Sequence, residues 1–86
     1  MPKRIKDLEE LRRLATREDG GFLTVALELN RGAYSKKDVS WSPAEKRWHV
    51  YHHIDGVYDT YDDAGLAAET NIPQGLAYGA LWALED

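Results

Sequence analysis

All three histidines and four of the aspartates fall within the seventeen residues RWHVYHHIDGVYDTYDD, from Arg47 to Asp63. Imidazoles and carboxylates at this density could hold a metal ion, or a carboxylate could orient a histidine as a general base. A zinc ion needs its donor atoms to converge to about 2.1 Å. The residues around Asp55-Gly56, a strong hairpin signal, alternate as strands do. On a strand rising about 3.3 Å per residue, His49 and His53 share a face about 13 Å apart, and His52 points away from both. The pattern therefore predicts no metal site and calls for no cofactor.

A two-residue Asp55-Gly56 turn of type I′ would set His52 opposite Asp59 and His49 opposite Asp62. Such pairs orient an imidazole, but they also stabilise ordinary sheets, by about 0.2–1 kcal/mol each. The sequence places no serine or cysteine nucleophile near them, so no catalytic residue is assigned and the chain is expected not to be an enzyme. Alternation puts Trp48, Val50, His52, Ile54, Val57, Asp59 and Tyr61 on one face. His49, Tyr51, His53, Tyr58, Thr60 and Asp62 take the other.

The elements that position this stretch can be read in order. Ile5, Leu8, Leu11, Leu14 and Ala15 recur at helical spacing, with acids early and arginines late, and Gly20-Gly21 ends the segment. Leu23, Val25, Leu27 and Leu29 form one face of a strand. After the turn at Asn30-Arg31-Gly32, Lys37, Val39 and Trp41 form one face of a second strand, and Pro43 marks the next turn. After the hairpin, Asp62 or Asp63 caps a short helix through Glu69. A longer helix follows from Asn71, with Asn71 and Gln74 as a capping box and Ile72, Leu76, Ala80 and Ala83 on one face. The expected fold is α+β, a four-stranded antiparallel meander covered on one face by an N-terminal helix, a short helix and a longer C-terminal helix.

With 86 residues the chain has room for a single domain, residues 1–86. Hydrophobic residues at 43% and charged residues at 30% describe a folding sequence rather than a disordered one. The lack of cysteine excludes disulfides, thiolate metal sites and cysteine nucleophiles. Charges interrupt the basic start every few residues, leaving no apolar core of signal-peptide length, and no run approaches the roughly 20 apolar residues of a membrane span. A soluble cytoplasmic protein with no membrane partner is expected. Charge is unevenly spread: residues 1–50 carry all 11 Lys and Arg against 8 acids, whereas residues 51–86 carry 7 acids and no Lys or Arg. An acidic half attracts basic surfaces and repels phosphates.

Ser35-Lys36-Lys37 entering a strand, Trp41 ahead of a turn, Ile54-Asp55-Gly56, Thr70-Asn71-Ile72 and Gly79-Ala80-Leu81 follow one another over roughly the last 50 residues. This ordered set resembles a family of small uncharacterised proteins encoded by bacteriophages and prophages. The resemblance implies an accessory role in a host bacterial cell. It does not extend to the histidines and carries over no catalytic residue.

Two binding surfaces are expected. Asp55, Asp59, Asp62 and Asp63, with Tyr51, Tyr58 and Tyr61 as anchors, would meet a host or phage protein with a basic surface, in the manner of an inhibitor of a host defence complex such as an anti-CRISPR. The alternatives are a small regulatory protein touching nucleic acid through Arg31, Lys36, Lys37, Lys46 and Arg47, with tryptophans nearby, and a minor phage structural component.

Overall fold

A computed structural model describes residues 3–17, 20–30 and 32–84, the side chains of residues 29 and 30 apart. A two-residue strand, β1 (Lys3–Arg4), precedes helix α1 (Leu8–Ala15). The Asp7 carboxylate accepts the Glu10 N–H at 2.8 Å, and the Glu10 carboxylate accepts the Lys6 N–H at 2.8 Å. The first turn is thus closed from both sides, close to a capping box. Ile5, which helical spacing would place inside α1, lies just before it and is fully buried.

Strands β2 (Leu23–Asn30), β3 (Ala33–Ser42), β4 (Arg47–His52) and β5 (Val57–Tyr61) form the expected meander. Two short helices follow, α2 (Asp63–Glu69) and α3 (Ile72–Tyr78). The chain then returns to the sheet as β6 (Leu81–Leu84), which pairs antiparallel with both β1 and β2. The sheet therefore has six strands rather than four, in the order β1-β6-β2-β3-β4-β5. Gly79 makes the difference. At φ +67° it occupies the left-handed region that ends a helix, and the next four residues alternate between buried and half-buried. Leu81 and Ala83 reach the core from a strand, not from a third turn of helix.

Two further expectations are corrected. Asn71 stands at the N-cap of α3 without a side-chain cap bond; the Thr70 hydroxyl accepts the Ile72 N–H instead, at 3.2 Å. The β4–β5 loop has four residues, His53 to Gly56, and only Gly56 has positive φ. A type I′ turn needs positive φ at both central residues, and Asp55 does not supply it. The register is consequently shifted by two: His52 faces Val57 and His49 faces Thr60. A shift of two preserves parity, so the face assignments of the paired residues, 48–52 and 57–61, stand, while His53 and Ile54 fall in the loop and the expected His–Asp pairs do not form.

The helices cover one sheet face. Leu11 and Ala15 of α1, Leu66 of α2 and Ile72 of α3 join Leu23, Val25, Leu27, Val39, Trp48, Val50, Leu81 and Ala83 in one buried cluster. Gly75 allows α3 to approach, because a Cβ there would stand 2.3 Å from Leu27 Cδ1. Among the described residues no helix is long and apolar enough to cross a membrane.

Candidate functional site

The hairpin presents its two faces to different surroundings. Tyr51 and Tyr58 are direct cross-strand partners on the face that no helix covers. Asp59 and Tyr61 lie on the helix-covered face, where Tyr61 packs half-buried against the core. The seven acidic and tyrosine residues expected to act together are thus divided between two faces.

Three of the four aspartates have local partners. Asp62 caps α2, accepting the Gly65 N–H at 2.6 Å, and Asp59 accepts the Thr60 N–H at 2.9 Å. Asp63 receives Arg12 at 3.0 and 3.3 Å and the Trp48 indole N–H at 2.8 Å. The Arg12 guanidinium also lies 4.3 Å from the Trp41 ring centre. These bonds, Arg12's first and Trp48's second, hold the Asp63 carboxyl below its ordinary range. Asp63 fastens α2 to α1 and β4. Asp55 and Asp59 on the hairpin and Glu69 beyond it are exposed carboxylates that, among the described residues, neither cap a helix nor pair with an arginine.

The histidines acquire a role that alternation alone does not reveal. His49 Nε2 lies 2.7 Å from Glu45 Oε1, and Nδ1 is hydrogen-bonded to the Tyr58 hydroxyl. A carboxylate only accepts, so Nε2 carries a proton; in the neutral ring Nδ1 then accepts from the Tyr58 O–H. His53 Nε2 lies 2.9 Å from Asp38 Oδ1, which also accepts from the Thr24 hydroxyl at 2.7 Å. The His53 ring meets Tyr51 edge-on at 5.5 Å. Tyr51 and Tyr58 are therefore each held by a histidine that a carboxylate holds in turn. Phe22 adds an edge contact to Tyr58 at 6.4 Å.

His52 belongs to the opposite face. Its Nε2 is 3.1 Å from the Tyr61 hydroxyl, in a polar cleft of about 310 Å³ shared with Lys37, Asp55, Glu69 and Asn71. Burial and then the nearby Lys37 charge lower the His52 pKa, and burial lowers that of Lys37. Burial followed by Asp59 and Glu69 raises the Tyr61 pKa. The cleft thus favours neutral forms of His52 and Tyr61 and their mutual hydrogen bond. Among the described residues no three His, Asp or Glu side chains are placed to share a metal ion.

The basic residues expected to contact nucleic acid are scattered. Arg31 lies outside the described residues. Lys36 is on the open face, whereas Lys37 is on the covered one. Lys46 and Arg47 are at the far end of β4, where Arg47 donates to the Thr60 hydroxyl and carbonyl at 3.2 and 3.0 Å. Sequence reasoning missed Phe22, Tyr34 and Trp82, which add aromatic surface to the open face. The alternation Leu81, Trp82, Ala83, Leu84 was the available signal, masked by its equal fit to a helix. The buried Trp82 Nε1 has no hydrogen-bond acceptor among the described residues.

No protein-family model matches this chain, and neither curated proteins nor solved structures show a match. The functional argument therefore rests on the chain's own side chains.

Proposed function

We propose that this chain is a non-enzymatic phage or prophage accessory protein that acts by binding another protein through its β4–β5 hairpin. Its partner carries a basic surface, as a nucleic-acid-handling host defence complex does. The observation that carries the reading is the holding of Tyr51 and Tyr58 by His53 and His49 on an exposed face. Tyrosines fixed before binding lose less rotamer freedom on contact, which favours their use as anchors. Of the seven exposed large hydrophobic side chains among the described residues, four, Tyr51, Ile54, Val57 and Tyr58, fall within eight residues of this hairpin. Ile54 is 71% exposed at its tip, beside Asp55.

Side chains rather than backbone make the proposed contact. β5 is an edge strand and could in principle accept another strand. However, the Thr60 N–H is taken by Asp59 and its carbonyl by Arg47, which blunts that edge.

The test uses purified candidate defence complexes with basic grooves and measures binding by surface-immobilised kinetics. Tyr58→Ala is expected to weaken binding at least tenfold through faster dissociation. Asp55→Lys with Asp59→Lys is expected to slow association and reduce its salt dependence. A complex bound equally well by wild type and by the combined variant would sink the hairpin reading.

A further inference from the structure

Toward the other edge of the open face, Trp82 of β6 shares a cross-strand row with Arg4, whose guanidinium lies against Gly79, and with Lys36. Arg4 of β1 is its direct partner on one side; on the other, Ala26 of β2 is followed by Lys36 of β3 in the same row. Directly opposed residues in antiparallel strands project to one face, so these four share it. At about 4.8 Å per strand, Arg4 lies about 5 Å and Lys36 about 10 Å from Trp82 across the sheet. Neither cation is in an ion pair among the described residues. Tyr34, Lys36, Trp82 and Leu84 wall a shallow groove of about 440 Å³ floored by Ala26. That is the size of a small-ligand site.

We infer that this groove binds a nucleotide unit, its base stacked against Tyr34 and Trp82 and its phosphate met by Lys36. Three separate features point to this chemistry. The walls are aromatic, and stacking on a sheet face is how single-stranded nucleic acid is commonly held. Lys36, in no ion pair among the described residues, stands in the groove wall and calls for an anion. The buried Trp82 N–H lacks an acceptor among the described residues, which a base carbonyl or phosphate oxygen would supply. Among the described residues, two acids of this face are engaged by side chains outside the groove and one stands beside it. Asp38 is engaged by Thr24 and His53 and Glu45 by His49, whereas Glu28 is the direct cross-strand partner of Tyr34. The ala-sized residue at position 26 matters because a larger side chain would fill the floor.

The experiment measures the anisotropy of fluorescein-labelled ten-nucleotide dT and U strands titrated with the full chain at 20 and 100 mM salt. Uridine monophosphate and a DNA duplex serve as competitors. Binding is expected to weaken with salt, with a log–log slope of about −0.7 per phosphate contacted, and the duplex is expected to compete at least tenfold less well than an unlabelled strand. Tyr34→Ala, at a half-exposed position where folding is not at risk, and Lys36→Glu should each weaken binding at least tenfold, with Lys36→Glu also flattening the salt slope. Displacement by uridine monophosphate assigns the groove to single nucleotides; strand binding without it assigns the groove to the polymer. Either result upholds the inference. No binding of either probe at 20 mM salt, or binding that both variants leave unchanged, overturns it. Because Asp55→Lys with Asp59→Lys leaves Tyr34, Lys36 and Trp82 in place, that variant should retain nucleotide binding, so failure of one site is separable from failure of the other.

Discussion

At the scale of single residues, Asp63 shows how far a side chain's role depends on what surrounds it. In the sequence it is one more carboxylate in an acidic run; in the fold it takes two bonds from Arg12 and one from the buried Trp48. Asp63→Asn should lower stability at pH 7 by about 1 kcal/mol, below the range for buried charged hydrogen bonds because the carboxylate is half exposed. The acid limb follows from the direction of the pKa shift. A carboxyl whose folded pKa is depressed contributes fully above its unfolded pKa, and that contribution is lost as pH falls through the folded value. Denaturation midpoints between pH 7 and pH 2.5 should therefore drop less steeply in Asp63→Asn than in wild type. Parallel slopes would mean that the Arg12 contact does not persist in solution. Trp48 would still be a core residue on alternation alone, but that its indole N–H needs an acceptor, and that Asp63 is the one, depends on where α2 begins.

At the scale of elements, the two hairpins are built alike. Both loops have four residues, and both close by an N–H of the fourth residue donating to the strand end at 2.8 Å: Lys46 to Ser42 and Gly56 to His52. In each, the fourth residue has positive φ, +56° at Lys46 and +68° at Gly56. Glycine adopts this conformation freely, whereas lysine is strained there. Lys46→Gly should therefore be neutral to stabilising by up to about 1 kcal/mol, and Gly56→Ala destabilising by about 1 kcal/mol, in urea denaturation. Equal losses from both would refute the shared loop geometry. The Asp-Gly dipeptide announced the second hairpin but named the wrong turn, because its signal does not distinguish a two-residue from a four-residue loop. Faces survived that error and register did not. Glu45 could not be found as a partner of His49 for a related reason: its reach depends on the first loop's conformation, which Pro43 suggests without specifying.

At the scale of the whole molecule, the sheet is completed by its most distant pairings. β6, near the end of the chain, lies between β1, near the beginning, and β2. Local patterning finds the meander because sequential strands and their turns are neighbours, but neither a two-residue strand nor an apolar run that fits a helix equally well reveals pairing across most of the chain. The same topology separates the charges. Lys3 and Arg4 occupy one edge of the sheet, while Asp59 on β5 and the adjoining α2 acids lie at the other, so an asymmetry along the sequence becomes one across the fold. The groove lies on the open face, whereas the hairpin site spans both faces, with Tyr51 and Tyr58 on the open one and Asp59 on the covered one. The two sites depend on β6 to different degrees. It supplies Trp82 to the groove directly and Leu81 and Ala83 to the shared core, whereas the hairpin needs it only through that core. Truncation after Ala80 removes both core residues and leaves β1 without a partner and β2 with one edge unpaired. Such a chain should lose its cooperative urea transition and its near-ultraviolet aromatic signal together. A truncated chain that kept a cooperative transition near the intact midpoint would show that the four-stranded meander folds independently and that β6 is an addition to it. Loss of both signals would instead make the last strand part of the folding unit, with the hairpin's binding surface depending on a segment that it does not touch.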